Sequence, residues 1–195
     1  MSDSNQLDLL RGVSLYLIGM MGAGKSTLGA AMAKRLGYRF FDTDILIEQV
    51  AAQSIPDIFR SSGESGFRTL ESQVLNQIVS YTRLVVATGG GIVLNPENWG
   101  HLRQGVIVWI DVPVEELQRR LQHDQSRPLL QRDDWPQQLT HLLDSRRRLY
   151  AEADIHLAVT PGDTPETLCD HLICLLEERI LPPHSASIQT EQTDT

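Results

Sequence analysis

The sequence predicts an α/β fold in which five parallel strands form a sheet with helices on both faces. Short apolar runs alternate with longer stretches of helical periodicity, a pattern typical of strand–helix–strand units. Right-handed crossovers place the connecting helices on both sides of such a sheet. The chain has 195 residues, of which 41% are hydrophobic, and this length favours one domain with one core.

Each element follows from a local pattern. Apolar runs predict strands at 14–18, 39–41, 83–88, 106–112 and 155–159. Helical periodicity predicts helices at 28–36, 44–52, 56–61, 67–80 and 165–180, with a further helix that starts after Pro113. The core of this single domain is expected to span about 13–181. The polar stretch of about 183–195 lacks a periodic apolar face, so we expect it to be disordered.

The charge balance excludes a general nucleic-acid binder. Lys and Arg total 17 and Asp and Glu total 25, which gives a net charge of −8, whereas binding to a phosphate backbone needs a basic face. Arginine is far more frequent than lysine, with 15 Arg against two Lys. Because the guanidinium fork suits carboxylate and phosphate, individual arginines are candidates for binding small anions.

The sequence carries no apolar run close to the roughly 20 residues that cross a bilayer. The first residues also lack the basic and then apolar pattern of a secretory signal. We therefore expect a cytoplasmic protein without a membrane or nucleic-acid partner. A monomer is the default expectation.

The segment GMMGAGKST, residues 19–27, fits the phosphate-binding motif GxxxxGK[ST] in full. An apolar strand pattern precedes it and a helical pattern follows, as the motif requires. Its glycines allow backbone N–H groups to surround phosphates, Lys25 supplies a positive charge, and Ser26 is a ligand for Mg²⁺. The expected ATP-binding residues here are Gly22, Ala23, Gly24, Lys25, Ser26 and Thr27.

Two aspartates follow the second predicted strand in the segment FDTD. They occupy a place at the ligand edge of a parallel sheet, whereas the strand at 83–88 ends in three glycines instead of an acidic residue. Asp42 could hold Mg²⁺ through water, and Asp44 could receive the proton of an acceptor hydroxyl. Helix capping is the alternative, and it explains one of these residues but not both aspartates around Thr43.

The ordered set of motifs resembles the shikimate kinases. GMMGAGKST, FFDTD, GESGFR, ATGGG, RPLL and RRRLY occur in the order and approximate spacing of that family, over about 13–181. The resemblance implies a three-layer P-loop kinase fold with a mobile lid at about 120–134. It also implies Mg²⁺-assisted transfer of the ATP γ-phosphoryl group to the 3-hydroxyl of shikimate, which gives shikimate 3-phosphate and ADP in the synthesis of chorismate and aromatic amino acids.

The resemblance also implies the role of each acceptor-side residue. Asp44 is similar to the aspartate that orients or deprotonates the attacking hydroxyl. Arg68, in GESGFR, and Arg146, in the RxxLY arrangement, resemble two arginines that grip the shikimate carboxylate. The three glycines Gly89, Gly90 and Gly91 resemble a turn whose backbone approaches the substrate, with Gly90 as the main contact.

On the nucleotide side, Arg127 resembles a lid arginine that reaches the transferred phosphoryl group. Arg120 resembles an arginine that packs against adenine. The catalytic set implied by the family is therefore Lys25, Asp44 and Arg127. Glu71 is one turn after Arg68 and is expected to brace it, whereas Arg147 and Arg148 are expected to be solvated.

Two alternatives remain open at this point. A kinase of the same fold could act on another small metabolite such as gluconate, which also carries a carboxylate and hydroxyls. A catalytically silent kinase-like binding module is the second alternative. The combination of DTD, FR, GGG and RxxLY favours shikimate, and the presence of Lys25 and Asp44 disfavours the silent module.

Overall fold

The computed structural model describes residues 9–124, 130 and 132–180. Five strands form one parallel sheet in the order β2-β3-β1-β4-β5. They are β1 (Leu15–Ile18), β2 (Arg39–Asp42), β3 (Leu84–Ala87), β4 (Val106–Asp111) and β5 (Ile155–Ala158). The predicted α/β class and the five strands are confirmed.

Seven α-helices and one 3₁₀ turn (Ile92–Leu94) connect these strands within the described residues. The helices are α1 (Lys25–Leu36), α2 (Thr43–Ala51), α3 (Ile55–Ile78), α4 (Pro96–Leu102), α5 (Val114–Leu121), α6 (Trp135–Tyr150) and α7 (Pro165–Ile180). None of these helices is long and apolar enough to cross a membrane.

The main differences from the sequence prediction lie in three helices. Gly63 has a non-helical φ of 67° and forms a kink in α3, so the two helices predicted at 56–61 and 67–80 are the two arms of one bent element. The sequence analysis missed α4 and α6. Helix α4 is only seven residues long and starts at the Asn95 side chain, which accepts a hydrogen bond from the Glu97 N–H. Helix α6 has a narrow apolar face, so its periodicity is weak.

The core lies around the three central strands. Every residue of β1 and of β3 is buried, so both faces of the sheet are covered there. The outer strand β5 instead alternates between buried and exposed residues. The central position of β1 brings its carboxyl end between those of β3 and β4, the place where open parallel sheets bind ligands.

The residues singled out by the sequence analysis lie mainly at this carboxyl edge. The loop after β1 leads into α1, β2 ends at Asp42, and β3 leads into the three glycines 89–91. Arg120 lies on α5 and Arg146 on α6. Arg127 and the polar tail at 183–195 lie outside the described residues.

At the opposite, amino edge of the sheet, Gly105 packs closely against the chain at the start of β1. A Cβ atom at Gly105, just before β4, would collide with the Ser14 carbonyl oxygen and lie 2.6 Å from Tyr16 Cε2. A Cβ at Gly100, on α4, would meet no heavy atom within 4 Å. We expect Gly105→Ala to lower the free energy of unfolding by about 1 to 3 kcal/mol.

The matched control is Gly100→Ala, which should raise the free energy of unfolding by about 0.5 to 1 kcal/mol, because alanine is a better helix former. Urea denaturation followed by circular dichroism measures both variants. Equal stability of the two variants would contradict the packing described for β1 and β4.

Candidate active site

The phosphate-binding loop joins the buried strand β1 to helix α1. Gly22 and Gly24 have φ angles of 76° and 91°, a region that glycine adopts without strain. The Lys25 ammonium lies across the loop and donates hydrogen bonds to the carbonyls of Gly19 and Met20, at 2.9 and 2.8 Å. The loop therefore places a positive charge at the start of a helix, an arrangement suited to binding phosphate.

Asp42 makes two different contacts, one through each carboxylate oxygen. Its Oδ1 accepts a hydrogen bond from the Asp44 N–H at 3.0 Å and so caps α2. Its Oδ2 accepts a hydrogen bond from the Ser26 hydroxyl at 2.5 Å. Helix capping and placement at the phosphate loop are thus combined in one residue, and the two interpretations of Asp42 do not exclude each other.

Thr43 is the residue of the DTD segment that the sequence analysis passed over. Its side chain is fully buried, and its hydroxyl accepts a hydrogen bond from the Gly89 N–H at 2.9 Å. This bond ties the start of α2 to the first of the three glycines. The sequence signal for this role is the threonine itself, because a short polar side chain at the start of a helix can form a hydrogen bond with nearby backbone.

The triple glycine lies directly against the charged side chains of the site. A Cβ at Gly89 would collide with Glu71 Oε1 and lie 3.0 Å from Asp44 Oδ1, and a Cβ at Gly91 would collide with the Arg68 guanidinium. The requirement at these two positions is lack of a side chain, since neither has a positive φ. Three consecutive glycines therefore let carboxylates and a guanidinium approach the backbone.

Glu71 and Arg68 form an ion pair beside these glycines, as the sequence analysis expected. Arg68 Nη1 donates to Glu71 Oε2 at 2.8 Å, and Arg68 Nη2 donates to Glu64 Oε1 at 3.2 Å. The Glu71 side chain is completely buried, and within the described residues its Oε1 has no hydrogen-bond partner. A buried carboxylate oxygen of this kind is suited to accept a hydrogen bond from a ligand.

The local electrostatics depend on this buried pair. Burial raises the pKa of the Glu71 carboxyl, the charge of Arg68 opposes that rise, and the nearby Asp44 adds to it. Burial lowers the pKa of the Arg68 guanidinium, but the charge of Glu71 outweighs this effect, so the pKa is raised. Arg68 therefore stays charged at the edge of the site.

Arg146 approaches the triple glycine from α6. Its side chain is buried and donates from Nη1 to the Gly90 carbonyl at 3.2 Å. One turn later, the fully buried Tyr150 donates from its hydroxyl to the same carbonyl at 2.5 Å. Burial raises the pKa of Tyr150, so its hydroxyl remains a hydrogen-bond donor. Gly90 is thus held by two side chains of one helix.

The three consecutive arginines of α6 differ in their exposure to solvent. Arg146 faces the triple glycine, whereas Arg147 and Arg148 are exposed. Arg147 donates to Asp111 Oδ2 at 3.3 Å, and its guanidinium lies 5.6 Å from the centre of the Trp109 ring. The spacing RxxLY therefore selects the arginine that the helix turns inward.

Helix α4 fixes the turn that follows the glycines, a feature the sequence analysis missed together with the helix. The buried Asn98 donates from Nδ2 to the Ile92 carbonyl at 2.9 Å. The neighbouring Trp99 donates from Nε1 to the Val93 carbonyl at 3.1 Å. These two bonds hold the 3₁₀ turn (Ile92–Leu94) and so limit the movement of the backbone next to Gly91.

Arg120 connects α5 to the phosphate loop. It donates from Nε to Glu116 Oε1 at 2.7 Å and from Nη1 to the carbonyls of Gly22 and Ala23, at 3.3 and 3.4 Å. Hydrogen bonds from Arg119 and Arg120 lower the pKa of Glu116 to about 2. The carboxylate of Glu116 is therefore ionised at neutral pH and holds Arg120 beside the loop.

A cleft of about 440 Å³ is lined by most of the residues that the sequence analysis predicted to bind ATP. It is lined by the loop residues 21–28 together with Asp42, Asp44, Thr88, Gly90 and Arg120. Arg68, Gly91 and Arg146 do not line this cleft; they lie behind it, against the triple glycine. The cleft also includes Asp163, Pro165 and Leu168, which the sequence analysis did not assign because the loop near residue 160 carries no motif.

Among the described residues, no group of three or more His, Cys, Asp or Glu side chains could hold a metal ion without further ligands. A cation in the cleft would rely on Asp42, Ser26 and the phosphates of a bound nucleotide. Mg²⁺ characteristically uses such a mixture of few protein oxygens and substrate phosphates.

Comparison with known proteins points to one family. The shikimate kinase family model matches residues 21–177 of the chain. A shikimate kinase from Microcystis aeruginosa is 53% identical over 173 residues, which cover 89% of this chain and 91% of that protein. A shikimate kinase from a Nostoc species is 54% identical over 165 residues, which cover 85% of this chain and 91% of that protein.

The similar solved structures agree. The shikimate kinase from Acinetobacter baumannii, solved in complex with shikimate, is 37% identical with a TM-score of 0.84, and the match covers 91% of this chain and 99% of that one. A gluconokinase from Sinorhizobium meliloti, 16% identical with a TM-score of 0.57 over 87% of this chain and 94% of that one, shares the fold alone. From the family model, the sequence identity and the similar solved structure, the chain belongs to the shikimate kinase family.

Proposed function

We propose that the protein transfers the γ-phosphoryl group of ATP to the 3-hydroxyl of shikimate and releases shikimate 3-phosphate and ADP. The observation that carries this proposal is the position of the triple glycine, which lies between the phosphate-loop cleft and the charged side chains of Arg68, Glu71 and Arg146. An acceptor bound there would face the γ-phosphate. The likeness to the kinase solved with shikimate supports the choice of acceptor.

Arg68 and Arg146 are assigned the role of binding the acceptor carboxylate. Arg68 approaches Gly91 and Arg146 donates to Gly90, so the two guanidinium groups come from different helices to adjacent residues. Two charged forks on one carboxylate fix both the position and the rotation of a small ring. Glu71 holds Arg68 in place, and its unpaired Oε1 is directed at the same backbone.

Asp44 is assigned the role of orienting the attacking hydroxyl or receiving its proton. Its Oδ1 lies close to Gly89, on the side of the triple glycine that faces the cleft. In the proposed step the acceptor oxygen forms a bond to the γ-phosphorus, the bond from that phosphorus to the β,γ-bridging oxygen breaks, and Asp44 orients or receives the hydroxyl proton. Phosphoryl transfer needs mainly positioning and charge neutralisation, so one carboxylate suffices for this part.

The ATP phosphates are assigned to the loop amides and to Lys25, Ser26 and Thr27. The Ser26 hydroxyl donates a hydrogen bond to Asp42 Oδ2, so both oxygens lie together beside the loop, where Ser26 would ligate Mg²⁺ and Asp42 would hold it through water. When bound, Mg²⁺ would neutralise charge on the β- and γ-phosphates. Arg127, outside the described residues, is proposed to add a positive charge from the lid at about 120–134.

We assign adenine binding to the part of the cleft that is lined by Arg120, Pro165 and Leu168. A guanidinium plane and apolar side chains can hold a purine by stacking. We further propose one domain with its core at about 13–181, acting in the cytoplasm as a monomer on small-molecule substrates alone.

The first test concerns Asp44. We expect Asp44→Asn to lower kcat by about 10² to 10⁴-fold, because the neutral amide cannot accept the proton. Binding of ADP should stay within about twofold of the original protein, since the phosphate loop is unchanged. A coupled assay of ADP release measures kcat, with Asp144→Asn on the exposed face of α6 as the matched control. Near-normal turnover in Asp44→Asn would remove Asp44 from the mechanism.

The second test separates acceptor from nucleotide binding. Arg68→Ala and Arg146→Ala should each raise the KM for shikimate at least tenfold, the effect of losing a charge-assisted hydrogen bond. The KM for ATP should change by no more than about twofold. Arg148→Ala removes an exposed arginine of the same helix and should change neither constant. Equal shifts in both constants would rule out the carboxylate clamp.

The third test uses the low pKa of Glu116. Glu116→Gln should raise the KM for ATP several-fold, because Arg120 loses its charged partner. A depressed carboxyl pKa stabilises the fold above the ordinary value of 4.5, and this advantage is lost as the pH falls towards about 2. Thermal unfolding from pH 7 to pH 2 should therefore show the original protein losing its advantage over Glu116→Gln. A constant difference across this range would contradict the role of Glu116.

A further inference from the structure

A second cleft lies at the amino edge of the sheet, opposite the active site. It encloses about 530 Å³, within the size range of small-molecule sites. Its residues come from the segment 11–16, which leads into β1, the segment 79–83, which leads into β3, and Gln104, just before β4. It shares no lining residue with the cleft at the phosphate loop.

The lining of this second cleft is positively charged. Arg11 and Arg83 contribute to it, and none of its lining residues is acidic, although the whole chain has a net charge of −8. No carboxylate of the described residues forms an ion pair with either arginine. The Arg83 guanidinium lies 5.7 Å from the centre of the Tyr38 ring, which holds it at the cleft. Two arginines without carboxylate partners can attract an anion into the cleft.

Both arginines are placed at backbone positions that disfavour them. Arg11 has a φ of 47° and Arg83 a φ of 58°, in the left-handed region where a non-glycine residue is strained by about 1 to 2 kcal/mol. Within the described residues, Ala52 is the third non-glycine residue with a positive φ. Strained residues of this kind are often found at ligand sites, and here the two that carry charge line the same cleft.

The side chain of Tyr16 also belongs to this cleft. Tyr16 is 1% exposed, and no hydrogen bond of its hydroxyl exists within the part of the chain that the structure describes. Burial raises the pKa of Tyr16, so the hydroxyl keeps its proton at neutral pH. Because Tyr16 lines the cleft, this hydroxyl can donate a hydrogen bond to a ligand oxygen.

The remaining wall of the cleft is aromatic and aliphatic. The Tyr81 side chain is 57% exposed and Val13 is 41% exposed, which are large values for apolar groups at the mouth of a cleft. The Arg39 guanidinium lies 5.6 Å from the centre of the Tyr81 ring and so limits its movement. A fixed, exposed aromatic ring next to two cations suits a flat apolar body that carries a negative charge.

We propose that this cleft is a second ligand site, which binds a small aromatic carboxylate. The carboxylate pairs with Arg11 and Arg83, an oxygen of the ligand accepts a hydrogen bond from Tyr16, and the ring lies against Tyr81. Strand β1 runs for about 13 Å between Ser14, at the second cleft, and the phosphate loop, and the two clefts share no lining residue, so both sites can be occupied at once.

Benzoate is the probe for this site, with benzamide as its neutral isostere and inorganic phosphate as an anion without a ring. The full chain, labelled with ¹⁵N and saturated with shikimate to fill the active site, is titrated with each probe. We expect benzoate to shift the amide signals of residues 11–14 and 81–84 with a Kd of about 1 mM or below. Benzamide and phosphate should each bind at least tenfold more weakly.

Glycine substitutions remove the charges without straining the fold. Arg11→Gly and Arg83→Gly relieve a left-handed φ, so neither variant should melt at a lower temperature than the original protein. The double variant should bind benzoate at least tenfold more weakly. Ala52→Gly relieves the same strain at the end of α2, away from the cleft, and should bind benzoate normally.

Three results would overturn the proposal. The first is benzoate binding of equal strength in the double glycine variant, and the second is a set of benzoate-induced shifts confined to residues 19–27 and 89–91. The third is equal affinity for phosphate and benzoate, which would exclude an aromatic ligand class. Signals of residues 19–27 and 89–91 report on the active site separately, so the result at the second cleft does not depend on the proposed kinase reaction.

Discussion

The close packing of charged side chains against the backbone of the triple glycine determines the rest of the site. Side chains from α2, α3 and α6 all end at this turn, and a Cβ at Gly89 or Gly91 would displace those of α2 and α3. The turn is held by the Thr43 hydroxyl on Gly89 and by Arg146 and Tyr150 on Gly90. Because these bonds join separate helices to the end of β3, the acceptor site can keep its shape only when all of these elements are folded.

This arrangement places the fully buried carboxylate of Glu71 against the partly buried guanidinium of Arg68. Removing Glu71 and Arg68 from water is costly, and their 2.8 Å ion pair offsets that cost only in part. The high pKa of Glu71 and the unsatisfied Oε1 are the signs of the remaining cost. In the proposed complex, a hydroxyl of the acceptor would donate a hydrogen bond to Glu71 Oε1 and offset part of this cost.

The sequence predicted the sheet, the phosphate loop and the inward arginine of α6 because each has a local pattern. Four-residue apolar strands and a glycine-rich loop are read directly from neighbouring residues, and RxxLY places Arg146 and Tyr150 one turn apart on one face. Three features could not be predicted: the hydrogen bond of Thr43 to Gly89, the full burial of Glu71, and the hydrogen bond from Asn98 to the Ile92 carbonyl. These features depend on contacts between elements far apart in the chain, which no local pattern encodes.

The distribution of arginines shows how an acidic protein can bind anions. Arg119 and Arg120 are paired with Glu116, and Arg68 is paired with Glu71, so these guanidinium groups are fixed before a ligand arrives. Fixing a charged group in advance lowers the conformational entropy lost when the ligand binds. At the second cleft an aromatic ring takes the place of the carboxylate, because Arg83 lies over Tyr38. A ring restrains the guanidinium without neutralising it, so the cation remains available to an anion in a protein whose net charge would otherwise repel one.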